Sequence, residues 1–237
     1  MHLLLVIGFV CLFGLSESSS TKSPGRFERF SRFANTVSYF NKIKLPFIGR
    51  KTQQMTTAVQ VSPGAVLWAT STPREQMEWG PLDDIVMGGV SKTALEPGQF
   101  VGIFKGIVST ENNGGFAGIR TKLLQPTDIS ACSKFKLRVM GDGKRYKFIA
   151  RDDEAWNGIA WSFSFDTQDG KWIDVSIPIA ELKPTKFARL VKGGQPFQKK
   201  SLRGLQLTLS KFEYEGSLNP NFTPGRFELN LAEIGVE

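Results

Sequence analysis

Large apolar residues recur at every second position in run after run of this chain. Phe135, Leu137 and Val139 alternate with Lys136 and Arg138. Ile159, Trp161, Phe163 and Phe165 alternate with Ala160, Ser162 and Ser164. Ile173, Val175 and Ile177 alternate with Asp174 and Ser176, and Leu205, Leu207 and Leu209 with Gln206, Thr208 and Ser210. Phe227, Leu229 and Leu231 alternate with Glu228 and Asn230. A period of two gives each strand one buried and one wet face. Antiparallel sheets carry that pattern; buried parallel sheets read as continuous apolar runs instead. Between the runs lie Gly141-Asp142-Gly143, Asp169-Gly170, Gly193-Gly194 and Pro224-Gly225, all turn formers. No long amphipathic helix interrupts the series. Many short strands divided by turns predict an all-β, antiparallel sandwich or barrel over residues 66–237.

Charge narrows the function. The chain is formally +8, which on its face suggests nucleic acid. Residues 19–58, however, hold eight basic residues (Lys22, Arg26, Arg29, Arg32, Lys42, Lys44, Arg50, Lys51) against Glu28. From residue 59 onward 22 basic residues face 20 acidic ones, so the domain gives no electrostatic reason to expect a nucleic-acid partner. Scarce residues narrow it further. The single His is His2, and the cysteines are Cys11 and Cys132. With the leader removed, a His-based triad and the usual Cys/His zinc sites are excluded, and no intrachain disulfide can form. No cofactor or metal is expected. Cys132, beside a predicted strand, reads as buried filler.

Leu3–Leu15 is an apolar run of 13 residues, short for a membrane span of about 20. With Ser16, Ser18, Ser19 and Ser20 after it, it reads as a signal peptide over 1–18, although its first residues lack Lys and Arg. Residues 19–58 read as a transit peptide, with Phe27, Phe30 and Phe33 spaced on one helical face among Arg26, Arg29 and Arg32. Such a two-part leader implies a plastid with extra membranes. Mitochondrial import is the alternative, and a basic tether giving peripheral association with an anionic membrane is a third reading.

Three constellations could carry chemistry. Trp79 is followed by Asp83-Asp84-Ile85-Val86-Met87-Gly88-Gly89-Val90-Ser91. Its paired carboxylates could hold a cation or act as acid and base. The structural alternative is a loop in which the aspartates bind nearby amides and the glycines take positive φ. Adjacent residues of an extended strand face opposite ways, so a dyad is not expected, and the glycine spacing matches neither a P-loop nor a dinucleotide fingerprint. The second stretch, Glu111-Asn112-Asn113-Gly114-Gly115-Phe116-Ala117-Gly118-Ile119-Arg120, is a turn entering a strand. Arg120 there could bind an anion; the preferred reading pairs it with Asp83 or Asp84, tying two loops together. The third, Arg151-Asp152-Asp153-Glu154 with Trp156, lacks calcium-loop spacing and reads as a solvated loop facing the basic run Lys144, Arg145 and Lys147. Trp156 and Phe197 are either partner anchors or core.

Taken in order, Trp79…Asp83-Asp84-Ile85-Val86-Met87-Gly88-Gly89-Val90-Ser91, Phe104-Lys105-Gly106…Gly114-Gly115-Phe116-Ala117-Gly118-Ile119-Arg120 and Asp142-Gly143-Lys144-Arg145-Tyr146 resemble the complex I intermediate-associated protein 30 family. Phe165-Asp166-Thr167…Gly170-Lys171-Trp172, Ile177-Pro178 and Gly225-Arg226-Phe227-Glu228-Leu229 continue the resemblance. It implies a galactose-binding-like jelly-roll sandwich. It also implies a non-catalytic assembly factor whose partners are protein subunits of a membrane electron-transfer complex, respiratory or photosynthetic. Trp79, Asp83, Asp84, Met87, Gly88, Gly89, Ser91, Gly114, Gly115, Phe116 and Arg120 carry the family motif in a structural or partner-binding role. The chain departs at Gly118, where the pattern usually shows Ser, and it lacks the nucleotide-binding domain of some relatives, so no NADPH role transfers. Oligomeric state stays open. The competing reading is a carbohydrate-binding module, with Trp156, Trp161 and Trp172 stacking on sugar rings. Trp161 and Trp172, however, lie in alternating strands and read as core. A hydrolase using Asp83 or Asp84 is the third reading.

Overall fold

The computed structural model describes residues 57–73, 76–123, 125–155, 158–186 and 189–237. Both leader segments therefore lie outside the described residues, apart from the last two positions of 19–58. Fifteen strands are present among the described residues. They are β1 (Val59–Gln60), β2 (Val66–Ala69), β3 (Met77–Pro81), β4 (Lys92–Pro97), β5 (Gly102–Val108), β6 (Phe116–Leu123), β7 (Thr127–Asp128), β8 (Lys134–Met140), β9 (Arg145–Arg151), β10 (Ala160–Asp166), β11 (Trp172–Pro178), β12 (Lys183–Lys186), β13 (Arg189–Leu190), β14 (Gly204–Ser210) and β15 (Gly225–Val236).

Two sheets face each other. One runs β13-β12-β10-β9-β14-β6-β3, the other β11-β8-β15-β5-β4 with β2 added to β15. Every pairing within them is antiparallel; a separate two-residue contact of β1 with β7 is parallel. The all-β antiparallel sandwich expected from the alternation is the fold observed.

The apolar rows meet between the sheets. Phe135 of β8 packs on Phe148 of β9 at 4.9 Å between ring centres, and Phe104 of β5 on Tyr146 of β9 at 6.2 Å. Phe104, Phe135, Leu205, Leu207, Leu209, Leu229 and Leu231 are fully buried. Each such side chain stabilises the fold by about 1.5–3 kcal/mol, so a core of this size holds without disulfides. Cys132 is part of that core, and burial pushes its thiol pKa up, as expected of apolar filler.

In one respect the sheets depart from the simple alternation. β14 and β9 are buried on both faces: Gln206, Thr208, Lys147 and Arg151 are nearly inaccessible although they point away from the core. These are central strands of the seven-stranded sheet, and connecting segments fold back over that outer face.

Candidate functional site

The motif residues assemble at one end of the sandwich, where the β3–β4 and β5–β6 connections meet. Asp83 is extended, and Asp84 opens a single 3-10 turn, Asp84–Met87. Gly88 closes the turn at φ 88°, a left-handed conformation that costs glycine nothing. Gly89 follows at closest approach: a Cβ there would lie 2.3 Å from the Asp84 carboxylate. Gly114 meets the same carboxylate from the other connection, with a Cβ placed 2.5 Å from Asp84 Oδ2.

Both carboxylates are buried and occupied. Asp84 Oδ1 accepts the Ser91 amide at 3.0 Å; Oδ2 accepts Ser91 Oγ at 2.7 Å and the Gly115 amide at 2.8 Å. The Phe116 amide lies farther, at 3.4 Å. Asp83 Oδ1 accepts Thr93 Oγ1 at 2.6 Å and, more weakly, the Gly118 amide at 3.4 Å, while Oδ2 accepts the Thr93 amide at 3.1 Å. The aspartates thus reach different neighbours and form no dyad. The reason is the turn that begins at Asp84, not the strand alternation expected from sequence. Their partners are amides and hydroxyls 7 to 35 residues away, not the near neighbours of an Asx loop. Such a donor set commits both carboxylates to holding the β3–β4 connection against β4 and β6.

Arg120 reaches across to β14. Its Nε donates to Gln206 Oε1 at 3.0 Å across the β6–β14 register, on the outer face of the seven-stranded sheet. Burial, and then the neighbouring Arg151 guanidinium, push its pKa down. Trp79 is half-buried and sits edge-on to Trp68 at 5.9 Å, bracing β3 against β2. Of Met87 the backbone alone is described, within the 3-10 turn.

Gly118 has its own explanation. A Cβ there would fall 2.9 Å from Thr208 Oγ1 and 3.0 Å from the Leu207 carbonyl. Thr208 occupies the space that a serine at 118 would need.

A second locus has a weaker sequence signal. Lys147, at an outward position of β9, donates to the carbonyls of Phe212 at 2.6 Å and Glu213 at 2.8 Å. Ser164 of β10 meets Glu213 Oε2 at 2.5 Å and Tyr214 Oη at 3.1 Å. The ammonium groups of Lys147 and Lys183 lie 4.9 and 4.6 Å from the centre of the Tyr214 ring. Burial lowers the Lys147 pKa to about 8. Together these contacts clasp residues 212–214 onto the sheet beside a groove of about 680 Å³ lined by Arg145, Ser164, Glu181, Lys183, Glu213 and Tyr214. The hint in the sequence was a lysine between Tyr146 and Phe148, both core residues. The expectation that Lys147 and Arg151 belong to a charged, solvated hairpin is thus corrected: Arg151 is buried, with Nη2 donating to the Ala155 carbonyl at 2.8 Å.

The aromatic residues considered for sugar stacking divide. Trp161 is buried against Phe197 at 5.6 Å, so both are core. Trp172, expected in the core, is 37% exposed on the other sheet, with the Arg138 guanidinium 5.7 Å from its ring centre. Trp156 lies outside the described residues. Among the described residues no three His, Cys, Asp or Glu side chains are grouped as metal ligands, and no helix is long and apolar enough to cross a membrane.

A model of the complex I intermediate-associated protein 30 (CIA30) family matches residues 68–231. No curated protein matches the chain. Among solved structures, the chain is similar to a family 11 carbohydrate-binding module from Clostridium thermocellum in complex with a β-1,3-1,4-mixed-linked tetrasaccharide. The TM-score is 0.52 at 15% identity, over 72% of this chain and 93% of that one. It is also similar to the family 11 module of the cellulosomal cellulase Lic26A-Cel5E of the same organism, at TM-score 0.50 and 14% identity, over 73% of this chain and 93% of that one. At these identities the likeness speaks for the sandwich fold alone.

Proposed function

Because the chain belongs to the complex I intermediate-associated protein 30 family, we propose that it is a non-catalytic assembly factor that binds subunits or intermediates of an organellar membrane electron-transfer complex. The family match over residues 68–231 carries the reading. The geometry of the motif supports it: the carboxylates that would be the obvious catalysts are consumed in joining three strands. The domain past residue 59 is nearly neutral, which suits a protein partner better than a nucleic acid.

The client is taken to be photosynthetic if the two-part leader delivers the chain to a plastid, and respiratory complex I if it reaches mitochondria. Two experiments test this. Residues 1–65 fused to a fluorescent reporter show the compartment. Affinity capture of the full-length protein from detergent-solubilised membranes of that organelle, followed by mass spectrometry, shows the client. The expected result is a subset of subunits of one electron-transfer complex, without the finished assembly. Recovery of no such subunit from the correct compartment would sink the proposal.

A further inference from the structure

The near-neutral domain is charged unevenly. Residues 182–212 hold eight basic residues and no acid, while the rest of the chain from residue 59 holds 14 basic residues against 20 acidic ones. Part of that basic stretch is engaged within the molecule: Arg203 pairs with Glu154, and the Lys183 ammonium lies over the Tyr214 ring. The part at the rim of the seven-stranded sheet is not. Lys186 of β12 and Arg189 of β13 face each other across the ladder, and both are exposed. Among the described residues no hydrogen bond or ion pair engages either side chain, and Lys192 just beyond is exposed as well. Elsewhere in the described ladders, charged residues that face each other carry opposite signs: Lys105 and Glu228, Arg138 and both Asp174 and Glu233, Arg145 and Asp166. Like charges directly opposite destabilise a strand pair. Lys186 and Arg189 are the exception, and no described contact offsets it.

We infer that this rim binds an acidic segment of a partner protein, an extended stretch whose carboxylates lie over Lys186, Arg189 and Lys192. Carboxylate is the chemistry the rim already takes from its own chain: Glu215 Oε1 accepts the amide of Leu190, next to Arg189, at 2.5 Å. Alternate side chains of an extended segment point the same way, so one segment can set a carboxylate beside each cation. The Arg189 guanidinium can hold a carboxylate in two parallel bonds. A long polyanion fits less well. A nucleic acid or an anionic lipid surface spreads its charge over much of the domain, and outside residues 182–212 the domain carries an acidic excess. A short segment meets only the rim. The inference rests on the reading that the partners are proteins, and it names what their docking segment carries.

The test uses the full-length protein and a labelled peptide of about ten residues, alternating Glu and Thr, at physiological salt. A carbodiimide, which joins a carboxylate to an amine in contact with it, maps the bound peptide. Coupling to Lys186 and Lys192 is expected; coupling confined to other lysines overturns the inference. Affinity gives a second readout. Lys186→Glu sets a carboxylate against Arg189, so it is expected to raise the melting temperature by about 1–3 °C while weakening peptide binding about threefold or more. Lys171→Glu, the same charge change at an exposed site outside the stretch, is expected to change neither by as much. A rim that is merely solvated gives the rise in melting temperature with no greater loss of affinity than Lys171→Glu, and that result overturns the inference. So does a Lys186→Glu variant that loses affinity for an RNA oligomer or anionic vesicles and not for the peptide. Capture of client subunits without peptide coupling at this rim retires the acidic segment and keeps the assembly reading; coupling at the rim with no subunit captured does the reverse.

Discussion

Asp84 holds three stretches of backbone together through one buried carboxylate, and that makes it the most consequential motif side chain. Alanine at this position strands the Ser91 and Gly115 amides without acceptors. Each stranded donor costs about 1–3 kcal/mol, so Asp84→Ala is expected to lose about 3–5 kcal/mol, read as a lower urea midpoint at unchanged slope. Glu111→Ala, an exposed change in the same end of the sandwich, is expected to stay within about 0.5 kcal/mol. Gly118 gives a second test, because its nearest neighbour is the Thr208 hydroxyl, with the Leu207 and Leu82 carbonyls just behind it. Gly118→Ser forces Thr208 Oγ1 to yield and is expected to cost about 1–3 kcal/mol. In a double-mutant cycle, Thr208→Ala is expected to recover much of that loss. Strict additivity of the two changes would show that the crowding at 118 is not caused by Thr208.

At the scale of single elements, legibility in sequence depended on how locally each element is determined. β8 and β15 read correctly because their alternation is imposed by the two-layer core: Phe135, Leu137, Val139, Phe227, Leu229 and Leu231 are buried, with Lys136, Arg138 and Glu228 outside. β9 and β14 did not, because segments distant in sequence bury their second faces. Likewise Asp83, Asp84 and the glycines were legible as one loop unit, whereas their partners were not, lying up to 35 residues away across the topology. The clasp on β9 has a testable pH signature. Lys147 has a folded pKa of about 8 against 10.5 for the free side chain, lowered chiefly by burial. Between those values the unfolded chain binds a proton that the folded one does not, so stability rises as pH climbs from about 8 to 10.5. The gain is on the order of 1–3 kcal/mol. Thermal melts of Lys147→Met are expected to lose that upward slope. They should also show faster hydrogen exchange across residues 212–217, since the two carbonyl contacts go with the lysine. An unchanged slope would mean that the ammonium is not desolvated as the structure places it.

For the whole molecule, the question is how much of the chain the fold needs. Among the described residues, the hydrophobic core and the partly buried apolar residues packed against it lie between Val61 and Val236. Among the described residues, the strands of both sheets run from Val66 onward, and the short β1 adds two residues paired with β7. The basic excess sits before residue 59, ahead of the described core. A chain beginning at Val59 is therefore expected to unfold with the same urea midpoint, within about 0.5 kcal/mol, as the full-length protein. It should also lose most affinity for vesicles containing anionic lipid, an attraction worth about 1 kcal/mol per basic residue near the surface and weakened by salt. A shortened chain that unfolds earlier would mean that residues before 59 pack on the sandwich. A shortened chain that still binds vesicles would move any membrane contact onto the domain itself.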